Sequence, residues 1–175
     1  MPLHLYEITS SEQIDVTQLL KTVDTLVHRA AGELIEAQVT AGGGTVFVIA
    51  EFGGVAPQLL DAPELGVEHI SGPHLVRLVG AELADLKAAR PAAGYLVEWD
   101  LPADLDMESY LARKKANAPK YADVPEVSFL RTYVREDMNK CLCFYDAPDE
   151  AAVRRAREAV STPIDRLHQL RGSEL

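Results

Sequence analysis

The run Thr132–Arg166, TYVREDMNKCLCFYDAPDEAAVRRAREAVSTPIDR, carries a strand, a tight turn, a second strand with two cysteines, an abrupt helix start and a return toward a last strand. Val127–Arg135 and Lys140–Asp146 are rich in β-branched and aromatic residues and flank a polar turn, which predicts a hairpin. Pro148 then opens a helix with Asp149 and Glu150 in its first turn and Arg154, Arg155 and Arg157 further along. Acid first and base last is the order a helix dipole favours. Ile164–Leu170 reads as the closing strand.

Upstream, Tyr95–Asp100 reads as a strand, and Asp104 caps a helix with Asp106 and Glu108 in its first turn and Arg113, Lys114 and Lys115 in its later ones. The order β-α-β-β-α-β is the ferredoxin-like pattern of two split βαβ units. The first half repeats it. Leu3–Ile8 alternates as a strand, with Leu3, Leu5 and Glu7 on one face and His4, Tyr6 and Ile8 on the other. Asp15 with Gln18 suggests a helix cap, followed by Leu19, Val23, Leu26, Val27 and Ala30 at helical spacing. Leu34–Thr40 and Thr45–Phe52 flank Ala41-Gly42-Gly43-Gly44. No Lys-Ser/Thr follows these glycines and a strand comes next, so they form a hairpin turn rather than a phosphate loop. Val55–Leu65 suggests a short helix, and Val67–Val79 returns as extended chain broken at Ser71-Gly72-Pro73.

Local text recurs at a spacing of roughly 90 residues, as a duplication would leave it. Tyr6-Glu7-Ile8 answers Val97-Glu98-Trp99, Val48-Ile49-Ala50-Glu51 answers Cys143-Phe144-Tyr145-Asp146, and Ser71-Gly72-Pro73 answers Ser161-Thr162-Pro163. The expected architecture is therefore α+β: one ferredoxin-like repeat over residues 1–80, a connector over 81–93 and a second repeat over 94–175. An antiparallel sheet with helices on one side leaves its other face to be covered. Two such faces pressed together give a tandem, pseudo-dimeric α+β barrel.

Composition narrows the function classes. The formal charge is −10 and aromatics are 6%, so no basic, aromatic-studded face exists for nucleic acid. The charge is uneven, −8 over residues 1–88 and −2 over 89–175. No apolar run suits a membrane span or a signal peptide, and the two cysteines are poorly placed to bridge. The expected address is cytoplasmic, as a monomer or a homodimer of the tandem chain.

Period-two alternation suggests which residues line the sheet's helix-free face. Leu142 and Phe144, with Leu130 and Val134, are assigned to the helix-packed face. By elimination Arg131, Tyr133, Cys141, Cys143 and Tyr145 share the other, with Glu98 and its repeat-related partner Glu7. Glu98 and Arg131 are expected to pair. The candidate ligand-lining set is Glu7, Glu98, Arg131, Tyr133 and Tyr145. The five histidines are scattered and no zinc spacing is present. The best metal nucleus is Cys141-x-Cys143 with one distant histidine, whose softness favours nickel, copper or zinc.

Thr132-Tyr133-Val134, the run Cys143-Phe144-Tyr145-Asp146-Ala147-Pro148-Asp149-Glu150 and Pro163-Ile164-Asp165-Arg166 together resemble a small nickel-binding, ferredoxin-like domain family. The resemblance covers the second half and implies a ferredoxin-like fold and a nickel site. The family often has histidine just before the Ser/Thr-Tyr pair and in the helix after Pro-Asp-Glu; this chain has Arg131 and Ala156 there.

Three functions are compatible with these features. One is a binding protein holding a metal ion or small ligand at or between the sheets. Another is a cofactor-poor oxygenase or isomerase of the dimeric α+β barrel type, with Glu98 or Cys143 in acid-base work. The last is a module whose acidic first half docks a partner.

Overall fold

A computed structural model describes residues 2–12, 14–58, 67–89 and 93–173. Eight strands and, among the described residues, four α-helices and a 3-10 turn alternate in the order foreseen. The first half holds β1 (Leu3–Thr9), α1 (Val16–Arg29), β2 (Gly32–Thr40), β3 (Thr45–Phe52) and β4 (His69–Val79). A connector helix α2 (Leu83–Ala89) leads to β5 (Tyr95–Asp100), α3 (Met107–Asn117) and the 3-10 turn Ala118–Asp123. Strands β6 (Ser128–Arg135) and β7 (Lys140–Asp146), α4 (Glu150–Ala159) and β8 (Arg166–Ser173) complete the chain. The helix expected over Val55–Leu65 lies largely outside the described residues.

All eight strands close into one antiparallel barrel in the order β1-β3-β2-β8-β5-β7-β6-β4. Within it the first four strands run β4-β1-β3-β2 and the last four β8-β5-β7-β6. The halves meet edge to edge at β2–β8 and β4–β6. Closure pairs the edge strands that two separate sheets would leave open.

Local chemistry sets the element ends. Asp15 caps α1 by accepting from the Gln18 backbone N–H at 3.2 Å. Two caps differ from expectation by small shifts. Asp106, not Asp104, caps α3, because a turn closed by the Leu105 N–H on the Pro102 carbonyl delays the helix. Asp149 caps α4 instead of lying in its first turn, accepting from the Ala152 N–H at 2.8 Å. Gly43, at φ 72°, makes the β2–β3 turn a plain hairpin. Ser71-Gly72-Pro73 lies within β4, whereas Ser161-Thr162-Pro163 lies in the turn before β8, so this pair is not structurally equivalent.

Three buried clusters follow from the closure. One packs α1 on the outer face of the first four strands, through Leu19, Val23, Val27, Tyr6, Ile8 and Val48. A second packs α3 and α4 on the outer face of the last four. The third occupies the barrel interior, with Leu3, Leu5, Ile35, Phe47, Ile49, Leu96, Tyr133, Leu142 and Phe144. The two helix-free faces are thus a shared core.

A charged group is set into that core. Arg131 on β6 donates to both carboxylate oxygens of Glu36 on β2, at 2.8 and 2.6 Å, and the Tyr133 hydroxyl donates to the same carboxylate. Arg131 is 1% exposed and lies over the Phe144 ring. A bidentate buried pair joining β2 of one half to β6 of the other fixes how the halves face each other. Glu36→Leu alone should lower stability by about 3–5 kcal/mol in urea denaturation, because Arg131 loses its carboxylate. The double variant Glu36→Leu/Arg131→Met should recover most of that loss.

Candidate functional site

The β7 assignment made from alternation is inverted. Cross-strand partners share a face, and Tyr133 pairs with Leu142, Thr132 with Cys143 and Val134 with Cys141. Leu142 and Phe144 therefore face the barrel interior with Arg131 and Tyr133. Cys141, Cys143, Tyr145 and Val134 face outward, beneath α3 and α4. Every residue from Lys140 to Tyr145 is buried, so hydrophobicity could not tell the two faces apart. A register shift between Phe129 and Arg131 breaks the count along β6 as well.

Outside the barrel, a small cleft opens between this face and its helices. It is lined by Trp99 of β5, Cys143 of β7, Tyr110, Arg113 and Lys114 of α3, and Arg157 of α4, with Tyr121 and Thr162 among the flanking residues; its volume is about 20 Å³. That is room for a guest little larger than water. Arg157 reaches it because α4 buries Ala152, Val153 and Ala156, and the next turn of the same stripe carries Arg157 with them. Its side chain is 2% exposed. It donates from Nη1 to the Tyr145 hydroxyl at 3.1 Å and from Nη2 to the Pro163 carbonyl at 2.5 Å. The Tyr145 and Tyr121 hydroxyls are 2.7 Å apart. At the edge, the Arg113 guanidinium lies 5.3 Å from the Trp99 ring centre and Lys114 Nζ 4.6 Å from that of Phe129.

The two thiols differ. Their sulfurs are 3.9 Å apart, and the Thr132 hydroxyl donates to Cys143 at 3.2 Å. The bond from Cys141, with Lys114 and Arg157 nearby, pulls the Cys143 thiol down against the effect of its burial. The same bond, together with burial, pushes Cys141 up. Cys143 is accordingly the more acidic thiol of the pair.

The other candidates lie on the barrel's inward side and are held in ion pairs. Lys140 bridges Glu7 at 2.7 Å and Glu98 at 2.8 Å, so one lysine holds a glutamate from each half of the barrel. Glu98 also accepts from Arg166 at 2.8 Å and contacts His168 at 2.7 Å. The expected Glu98–Arg131 pair does not form, because Arg131 is engaged by Glu36. Of the predicted set, Glu7 and Glu98 share one cluster and Arg131 and Tyr133 another, while Tyr145 joins the two cysteines on the outer side. Sequence reasoning did not single out Arg157, Trp99, Tyr110 or Tyr121 as site residues. The available signal was a basic residue at Arg157, four positions after Val153, on the apolar stripe of a helix.

The charged side chains beside the cysteines are cations rather than metal donors. Among the described residues no three His, Cys, Asp or Glu side chains gather where they could hold one. Both thiols are buried, and the charged neighbours of Cys143 are the cations Lys114 and Arg157. A divalent ion would add charge of the same sign. His168 belongs to the inward-facing Glu98 cluster.

Residues 95–170 match the family model of SCO4226-like nickel-responsive proteins. The match spans β5 to β8 and agrees with the resemblance seen in the sequence; β1 to β4 lie outside it. No curated protein matches the chain. Among solved structures, TA0507, provisionally assigned as a chlorite dismutase, aligns with TM-score 0.54 and 13% identity over 97% of this chain and 95% of its own. At that identity the likeness concerns the fold, an α+β barrel. A Fusobacterium nucleatum protein and a Lactobacillus acidophilus protein, both provisionally assigned as monooxygenases, align at TM-scores of 0.49 and 0.47. Their identities are 10% and 12%, over 99% and 98% of this chain and 92% and 93% of theirs.

Two outcomes are expected. Equilibrium dialysis against nickel should give substoichiometric uptake that Cys143→Ser leaves unchanged. For Glu98, burial acts to raise the carboxyl, but His168, Lys140 and Arg166 outweigh it and hold the group at about 2. Its stabilising contribution is complete above the ordinary value of 4.5 and is lost as pH falls toward 2. That contribution is on the order of 3 kcal/mol. Glu98→Gln should flatten the fall of thermal midpoint across that window.

Proposed function

We propose that the chain is a small-ligand binding protein whose site is the cleft between the second-half sheet and helices α3 and α4, and that it does not carry nickel. The observation that carries this reading is a cleft outside the barrel that brings Cys143, Trp99 and the buried Arg157 together. The interior of the barrel is occupied by its own side chains. The cysteine pair lacks a third donor among the described residues and stands beside cations.

An oxygenase or isomerase with Glu98 as base finds less support. Glu98 lies in the Lys140–Arg166–His168 cluster and stays ionised far below neutral pH, which makes it a weak base. Among the described residues no Asp, Glu or His lines the cleft. We also read the chain as a tandem duplication of ferredoxin-like units, with repeats over residues 1–80 and 94–175 and a connector over 81–93. The shared 4-1-3-2 strand order and the paired glutamates favour that origin. A reducing, cytoplasmic setting fits two free thiols, and a monomer or a homodimer of the tandem chain is our reading of its assembly.

Access to the cleft can be measured without knowing the natural ligand. Methyl methanethiosulfonate, a small neutral thiol reagent, should modify Cys143 before Cys141 in folded protein, followed by intact and peptide mass spectrometry. Labelling of neither thiol until denaturant is added would show the cleft closed and sink the proposal.

A further inference from the structure

We infer that the ligand of this cleft is a small monoanion, with a carboxylate the best fit, held by Arg157 and drawn in past Arg113 and Lys114. This rests on the reading of the cleft as the binding site and adds the ligand's chemical class.

The inference comes from charge and from unused donors. The chain carries a formal charge of −10, yet among the described residues the charged ones lining this cleft are Arg113, Lys114 and Arg157, with no carboxylate among them. The other buried guanidinium among the described residues has an acid: Arg131 has Glu36. Arg157 is equally buried, but it donates to a phenol and a backbone carbonyl, both neutral, and its acidic neighbour is a thiol, Cys143, not a carboxylate. Among the described residues its Nε has no hydrogen-bond partner. A guanidinium carries five N–H donors, and a planar anion with two oxygens accepts from two neighbouring ones at once. Burying a cation without a counter-charge is costly, so an anion bound here gains more than it would at the surface.

The cleft's size and walls narrow the class. A volume of about 20 Å³ suits a guest as small as formate better than a phosphate ester. Arg113 and Lys114 are held over the Trp99 and Phe129 rings at the edge. They place positive potential along the approach, which raises the local concentration of anions. The other polar side chains lining the site are those of Tyr110, Asn117, Tyr121, Thr162 and Cys143, and the Tyr110, Asn117 and Tyr121 groups can donate.

Formate and its uncharged isostere formamide separate charge from shape. Trp99 is the one tryptophan in the chain and lines the cleft, so its fluorescence reports occupancy. Formate should shift that emission saturably and raise the thermal midpoint, and formamide at equal concentration should do neither. Arg157→Gln should weaken formate binding at least tenfold, and Arg157→Lys should retain part of it. Should Arg157→Gln fail to fold, Arg113→Gln/Lys114→Gln carries the test through a weaker affinity and a shallower salt dependence. An equal response to formate and formamide would overturn the inference. So would no response to either in protein whose Cys143 is labelled by the thiol reagent, which would leave the cleft reading standing and only the ligand class wrong. A Cys143 thiolate absorbance at neutral pH that formate does not alter, with no formate binding, would identify the thiolate as the counter-charge of Arg157 and equally overturn it.

Discussion

Closure of the eight strands into one barrel is the constraint on which the rest of the molecule depends. A ferredoxin-like half has a helix-covered face and a bare one, and apolar residues alternate onto both. Edge pairing at β2–β8 and β4–β6 turns the two bare faces inward, where Leu3, Leu5, Phe47, Leu142 and Phe144 meet. The Glu36–Arg131–Tyr133 group then sets the register of one half against the other. Because that pair is bidentate and nearly free of solvent, a different facing of the halves would strand two charges.

The same closure bears on where we place the binding site. The interior is occupied by side chains and ion pairs, and the site we propose lies between sheet and helices. Glu7, Glu98, Arg131 and Tyr133 are each held by partners inside the barrel wall. Cys143 and Tyr145, on the neighbouring face, meet Arg157 from α4. Residues one position apart on a strand thus take unrelated roles, since successive side chains point to opposite faces.

The element order, the hairpins, the Asp15 cap and the barrel were legible in the sequence because periodicity and turn chemistry are local. The second half also carried enough spaced text to bring out the family likeness that residues 95–170 bear. The facing of β7 was not legible, because Lys140 to Tyr145 is buried on both sides and alternation then says only which residues go together. The Glu36–Arg131 pair was missed for another reason: it joins positions 95 residues apart, and no local pattern reports a partner so distant. Arg157 was hidden among Arg154 and Arg155, which remain exposed, and only the helix phase set by Val153 distinguishes it.

The buried guanidinium of Arg157, with no carboxylate beside it among the described residues, is the centre of this account, and diffraction can locate its counter-charge. Crystals soaked in bromide, a small monoanion visible by anomalous scattering, should show a peak beside Arg157 in the cleft lined by Trp99 and Cys143, absent from Arg157→Gln crystals. Bromide peaks confined to the outer surface, with the space beside Arg157 holding only water in the wild type, would contradict it.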